Sequence, residues 1–167
     1  MMAIPAPDPA ALSRQTLRHT FGAFPTGVTL VAVLVDGRPV GLLASSFTSV
    51  SLDPPLVSIN VGRTSGTWPL LRRARHWGIT VLADQQEVQF ELLARGAAER
   101  FHGVDWEVDE GGSVVPSGAS ATFRVSLHTE IDAGDHVLAL LRVHALHRDP
   151  DRPPLVFYGS RPRHLAG

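Results

Sequence analysis

Phe123-Arg124-Val125-Ser126-Leu127-His128-Thr129-Glu130-Ile131-Asp132-Ala133-Gly134-Asp135-His136-Val137-Leu138-Ala139-Leu140-Leu141-Arg142-Val143-His144-Ala145-Leu146 is the stretch that decides the fold class. Its first half puts Phe123, Val125, Leu127, Thr129 and Ile131 on one face and Arg124, Ser126, His128 and Glu130 on the other, a period of 2 that belongs to a strand. Asp132-Ala133-Gly134-Asp135 is turn chemistry. The residues from His136 to Leu146 then predict a second, longer strand with two apolar faces. Val137, Ala139, Leu141, Val143 and Ala145 lie on one, and Leu138, Leu140 and Leu146 on the other. Such a strand either lies in a closed barrel with helices packed outside or meets a second subunit.

Working outward, Val28–Val35, Asp36-Gly37 and Pro39–Ala44 form the pattern of a tight β-hairpin. Val50–Leu52, stopped by Asp53-Pro54-Pro55, and Leu56–Val61 predict two further strands, Ile79–Leu82 another, and Pro154–Tyr158 a last short one. Three helices are expected. One is capped by Ser13 and runs to about Phe24 with Leu17, Phe21 and Phe24 in one stripe. The next spans Thr67–Arg75 with Pro69 in its first turn. The third opens at an Asp84…Glu87 capping box and runs to about Arg95. Val108–Gly118 reads as the longest loop. The chain is therefore expected to be mainly β, an antiparallel barrel of roughly seven strands decorated by about three helices, and not a parallel βαβ sheet. A flexible segment, 1–12, precedes a single domain, 13–167, and there is no internal repeat.

Composition excludes whole chemistries. At 167 residues the chain can bury a core without metals or disulfides. There is no cysteine, and all fifteen basic residues are arginine, so neither a thiolate nor a Schiff base is available. A net charge of −1 lacks the basic excess that a phosphate backbone demands. No apolar run approaches the roughly 20 residues of a membrane span, and Met1–Ala11 does not read as a targeting segment. The expectation is a cytoplasmic protein that binds neither nucleic acid nor membrane. Gly22-x4-Gly27 has phosphate-loop spacing, but Val28 stands where the lysine must be. G-x-G-x-x-G and G-x-S-x-G are both absent. His144 and His147, three apart on a strand, point to opposite faces, so no metal site is expected.

Two segments carry candidate chemistry. Ser45-Ser46-Phe47-Thr48-Ser49-Val50-Ser51-Leu52-Asp53-Pro54-Pro55-Leu56 places five hydroxyls between apolar strands. A planar heteroaromatic ring needs such a mixture of hydroxyls, backbone groups and an apolar wall. Arg63-Thr64-Ser65-Gly66-Thr67 joins a strand end to a helix start, where free amides, hydroxyls and a guanidinium suit a phosphate. Plain N-capping by Thr67 would need only one of those residues, so the anion site is the favoured reading of the segment.

The run at 45–56, preceded by Phe-Pro-Thr-Gly-Val-Thr at 24–29 and Asp-Gly-Arg-Pro-Val-Gly at 36–41, resembles the short-chain flavin reductase family, the reductase components of two-component flavin monooxygenases. Glu99-Arg100-Phe101 is similar to that family's Asp-Arg-Phe, and Asp-Ala-Gly-Asp-His at 132–136 to its turn of the same sequence. The resemblance runs from about Leu17 to Arg163. It implies an FMN-binding, Greek-key split β-barrel, a homodimer with flavin sites near the subunit interface, and reduction of FMN or FAD by NADH or NADPH for a partner monooxygenase. It further implies that Ser45, Ser46, Phe47 and Thr48 contact the isoalloxazine, and that Arg63, Thr64, Ser65 and Thr67 lie on the ribityl phosphate side. Arg100 and Phe101 would border the flavin, with Gly134, Asp135 and Arg161 also in cofactor contact, and His136 would approach the nicotinamide. The chain departs from the family pattern at Leu43, Thr80 and Ser160-Arg161-Pro162. The alternative carried with this reading is a flavin-binding protein without reductase activity.

Overall fold

The computed structural model describes Asp8 and residues 12–165. Most of the expected flexible segment 1–12 lies outside the described residues. The described chain contains helices α1 (Arg14–Phe21), α2 (Trp68–Leu71) and α3 (Glu87–Leu93). Its strands are β1 (Thr26–Gly27), β2 (Thr29–Val35), β3 (Arg38–Ala44), β4 (Thr48–Leu52), β5 (Pro55–Gly62), β6 (Trp77–Val81), β7 (Trp106–Val108), β8 (Val114–Pro116), β9 (Ala121–Ala133), β10 (His136–Arg148), β11 (Val156–Tyr158) and β12 (Arg161–Arg163).

Seven strands form one antiparallel sheet in the order β3-β2-β6-β9-β10-β5-β4. The expected barrel is not closed by backbone pairing: β3 and β4 are the two edges of the ladder. The β2–β3 hairpin turns on Asp36 and Gly37, with φ of 50° and 75°. That double positive φ matches the twist of the strands and explains the Asp-Gly pair. In the middle of the sheet, β9 and β10 are thirteen residues each and pair from Ala133–His136 at the turn to Ala121–Arg148, with register shifts at Leu140/Leu141 and Val143/Ala145 that break the expected strict alternation of faces.

The near-continuous apolar run of β2 arises because its two faces feed two cores. Val31 and Val33 pack with Ile59, Trp77, Ile79, Val125 and Leu141. Leu30 and Ala32 pack with Leu82, Leu93, Val114 and Leu155. Trp68 and Trp77 meet edge to face at 5.1 Å in the first core, and the Trp77 indole N–H donates to the Leu71 carbonyl at 2.6 Å. The second face of β10 is different: Leu138 and Leu140 join neither core, while the register shift at Val143/Ala145 sets Leu146 opposite Phe123, where it is 69% exposed.

Several expected elements change. α1 begins at its Ser13 cap, whose Oγ accepts the Thr16 N–H at 3.1 Å, but ends at Phe21 and buries none of its residues. α2 is four residues long. The capping interaction before α3 comes from Gln86, whose Oε1 accepts the Ala83 N–H at 2.9 Å. Glu87 is instead engaged by His164 at 2.9 Å, and Asp84 Oδ1 is buried with no hydrogen-bond partner among the described residues. The expected loop 108–118 contains the tip of the β7–β8 hairpin. Asp109 Oδ1 organises that tip by accepting the N–H groups of Gly111 (2.9 Å) and Ser113 (2.8 Å). No helix among the described residues is long and apolar enough to cross a membrane.

The β7–β8 hairpin crosses the sheet at Gly78. A Cβ there would overlap the Val114 carbonyl oxygen and sit 2.9 Å from Val115 Cγ1. Gly78→Ala is expected to destabilise the protein by about 1–3 kcal/mol through overpacking, read as a lower midpoint in urea denaturation.

Candidate functional site

β5 and β10 pair with His136 opposite Gly62, so the end of β5 and the β9–β10 turn share one end of the sheet. Arg63 fastens them together. Its backbone N–H donates to the Asp135 carbonyl at 3.0 Å, its Nε to the Gly134 carbonyl at 2.9 Å, and its Nη2 to Asp132 Oδ1 at 2.7 Å. Gly134 holds φ of 66°, the left-handed conformation the turn requires.

Against this end lies the segment leaving β3. Ser46 Oγ accepts the Asn60 N–H at 2.8 Å and lies 3.3 Å from the Asn60 carbonyl, to which it donates. That clasp holds the hydroxyl segment against β5. The result is a cleft of about 620 Å³, a size suited to a cofactor. Ser45, Ser46, Asn60, Ser65, Asp135 and His136 supply its polar lining, and Phe21, Leu42, Leu43 and Val61 its apolar wall.

A second cleft of about 340 Å³ shares the Leu42–Ser45 wall. It is completed by Phe90, Leu93 and Ala94 from α3, by Phe157 from β11, and by Arg100.

In the larger cleft His136 Nδ1 and Asp135 Oδ1 are 2.7 Å apart, and among the described residues His136 Nε2 has no hydrogen-bond partner. The hydrogen bond from His136, then its charge, hold the Asp135 carboxyl below the usual carboxylate range. Arg14, 3.8 Å away, adds to the effect.

Ser45, Ser46, Ser65, Asp135 and His136 thus converge from segments far apart in the chain, with Arg63 and Gly134 at the rim and Arg100 in the adjoining cleft. The remaining expected residues sit elsewhere. Phe47 turns inward to Phe123, ring centroids 5.5 Å apart, against the first core. Thr48 lies exposed in β4, its hydroxyl 3.4 Å from the Ser46 carbonyl. Phe101 packs on the second core. Thr64 is exposed, as is Arg161 in β12, and neither lines the two clefts. Thr67 is buried and makes no side-chain cap; Ser65 Oγ accepts the Trp68 N–H at 3.2 Å instead. Asn60 and Phe21 were not among the expected site residues. Asn60 is exposed in an otherwise buried stretch of β5, and a polar amide within an apolar strand was its only signal.

Residues 21–166 match the family model described as a flavin reductase like domain, and the chain belongs to that family. It is 42% identical over 132 residues to the reductase subunit of a stachydrine N-demethylase from Rhizobium meliloti, covering 78% of this chain and 57% of that protein. It is 39% identical over 154 residues to an NADH-dependent FMN reductase of Agrobacterium fabrum, covering 91% of this chain and 86% of that one. Among solved structures, the NADH:FAD oxidoreductase of Streptomyces globisporus, in complex with NAD and FAD fragments, superposes with a TM-score of 0.88 at 37% identity, covering 98% of each chain. The chain spans little more than half the length of the Rhizobium reductase subunit.

A carboxyl held in its charged form by a neighbouring imidazole should titrate late on acidification. In an NMR titration Asp135 is expected to protonate below the ordinary aspartate range, and His136→Asn to move it back up. Because the folded value is depressed, whatever this contact contributes to stability is present above the unfolded pKa and is lost as pH falls through the folded one.

Proposed function

We propose that the chain is a flavin reductase that oxidises NADH or NADPH, reduces FMN or FAD, and passes the reduced flavin to a partner flavin-dependent monooxygenase. The observation that carries this reading is the cleft in which the hydroxyl segment after β3 meets the Gly134-Asp135-His136 turn. When bound, the nicotinamide donates a hydride from C4 and the flavin accepts it at N5, so the protein's task is to stack, orient and solvate the two rings. Nothing in that chemistry calls for lysine or cysteine, which the chain lacks.

The residues present fit a flavin. Ser45, with the backbone of Leu43 and Ala44, offers polar groups beside an apolar wall, the pairing a heteroaromatic ring requires. Ser46 acts through its clasp on Asn60 and positions that wall. Arg63, Thr64, Ser65 and Thr67 are assigned to the ribityl phosphate side; Arg63 would exchange its contact with Asp132, which is exposed, for the phosphate. His136 presents Nε2 to the nicotinamide while Asp135 holds Nδ1. Phe47 and Phe101 support the site from the two cores, and Thr48 and Arg161 are assigned peripheral cofactor contacts.

The working form is a homodimer, with 13–167 as one domain. α1 has no buried residue, Phe21 and Phe24 are 68% and 76% exposed, and Leu138 and Leu140 of β10 are only part-buried. A second chain would bury these surfaces. The clasp between Ser46 and Asn60 draws the end of β3 toward β5, which supports a split barrel closed by side-chain contacts. Sedimentation equilibrium is expected to return twice the 18.0 kDa chain mass.

The deciding measurement is anaerobic oxidation of NADH and NADPH in the presence of FMN or FAD. Turnover with at least one pair is expected. Tight flavin binding with no oxidation of either nucleotide would overturn the reductase reading in favour of a flavin-binding protein. His136→Ala should lower kcat/KM for the nucleotide about tenfold or more while flavin affinity changes little, as expected for a residue that orients one partner only.

A further inference from the structure

Arg100 is a half-buried cation without an anion. One Nη donates to the Gly41 carbonyl and the other to the Arg95 carbonyl at 3.2 Å, while Nε is buried with no partner. Among the described residues no carboxylate lies within ion-pair reach of it. Elsewhere the fold neutralises such groups: Arg63 meets Asp132, Arg72 meets Glu130 and Arg152 meets Asp149. Burial pushes the Arg100 pKa below the ordinary arginine value, the sign of a charge held at a desolvation cost.

The guanidinium also sits on a particular edge. β2 and β3 are joined by a two-residue turn that opens on the Val35–Arg38 pair. Antiparallel pairs alternate between exchanging hydrogen bonds and not doing so. Counting from the turn, Arg38, Val40, Leu42 and Ala44 bond to β2, whereas Pro39, Gly41 and Leu43 present their backbone groups to the free edge of the sheet. The bond from Arg100 to the Gly41 carbonyl agrees with that count. The next free amide and carbonyl along this edge belong to Leu43, which walls both clefts. Gly41 itself is required by other neighbours: a Cβ there would lie 2.7 Å from the Val31 carbonyl oxygen and 3.1 Å from the Phe101 ring.

We propose that Arg100 is a catalytic residue that stabilises the negative charge which hydride transfer places on the pyrimidine edge of the flavin, beside the free edge at Leu43. The proposal rests on the reductase reading above. In the transfer the nicotinamide C4–H bond breaks with its electron pair and an N–H bond forms at flavin N5. The nicotinamide is left as the cation, and the added negative charge resides on flavin N1 and the C2 oxygen. A guanidinium already desolvated and fixed by two carbonyls meets that charge without reorganisation, and favours the reduced form over the oxidised one. Each Nη carries a second N–H beyond the one given to a carbonyl, and the plane of the guanidinium fixes the direction of these donors as an ammonium could not.

The test is anaerobic titration of the wild-type, Arg100→Gln and Arg100→Lys proteins with oxidised FMN and with FMN reduced by dithionite. Arg100→Gln is expected to weaken binding of the reduced form at least tenfold more than that of the oxidised form. For a two-electron couple this lowers the midpoint potential of the bound flavin by about 30 mV. Arg100→Lys, which keeps the charge, should hold the ratio of the two affinities within about threefold of wild type. An unchanged ratio in a folded Arg100→Gln protein overturns the proposal and leaves Arg100 as an anchor of β3. If Arg100→Gln does not fold, Arg100→Lys decides alone, and loss of the reduced-form preference in that charged variant overturns it. Wild-type protein that binds neither form overturns the reductase reading together with this one, whereas wild-type binding with an unchanged variant ratio overturns this one only.

Discussion

The double pairing of β10 is the constraint on which the rest of the structure depends. It hydrogen-bonds to β9 along thirteen residues on one side and to β5 from His136 to Arg142 on the other. This strand therefore sets where the β9–β10 turn falls relative to the end of β5. Because side chains alternate along a strand, a register slip of one residue would move His136 off the cleft and turn Ala139 and Leu141 out of the first core. Arg63 reinforces the register at the one point where the turn itself could drift.

From that fixed end, the site is assembled by polar contacts that do structural work first. Ser46 holds the hydroxyl segment on Asn60, Asp135 orients His136, and Arg100 grips the edge of β3. The arginines divide accordingly. Arg63 has a carboxylate within 2.7 Å, while Arg100 has none in ion-pair reach among the described residues. Two guanidiniums of one chain thus differ in what they can offer a ligand: the first must release a partner, and the second is already free of one.

Much of the architecture was legible because it rests on local pattern. The Asp36-Gly37 turn, the alternation from Phe123 to Leu127 and the Ser13 cap each follow from a few neighbouring residues, but beyond Leu127 a register shift puts Glu130 opposite Ala139 on the core face and turns Thr129 and Ile131 to the other. The misses have a common cause. Asp84…Glu87 had capping spacing, yet Glu87 is drawn to His164, far along the chain, and Gln86 caps instead. The stretch 108–118 reads as loop because its strands are three residues each and are held by contact with Gly78. Phe47 sits among hydroxyls in sequence, but its ring finds Phe123 and the first core.

The sequence by itself determined that the chain is mainly β and antiparallel, the main turns, the chemistry that is unavailable without lysine or cysteine, and the hydroxyl segment that lines the larger cleft. It could do so because strand period, turn conformation and side-chain chemistry are properties of adjacent residues. Only the tertiary structure decided which hydroxyls line the cleft, that Asn60 and Phe21 join them, and that Arg100 has no carboxylate within ion-pair reach among the described residues. Those outcomes depend on burial and on partners not adjacent in the chain, Ser46 with Asn60 at 14 residues and Arg100 with Gly41 at 59. Contacts of that kind are set by the register of β5, β9 and β10 and leave no periodic trace in the chain.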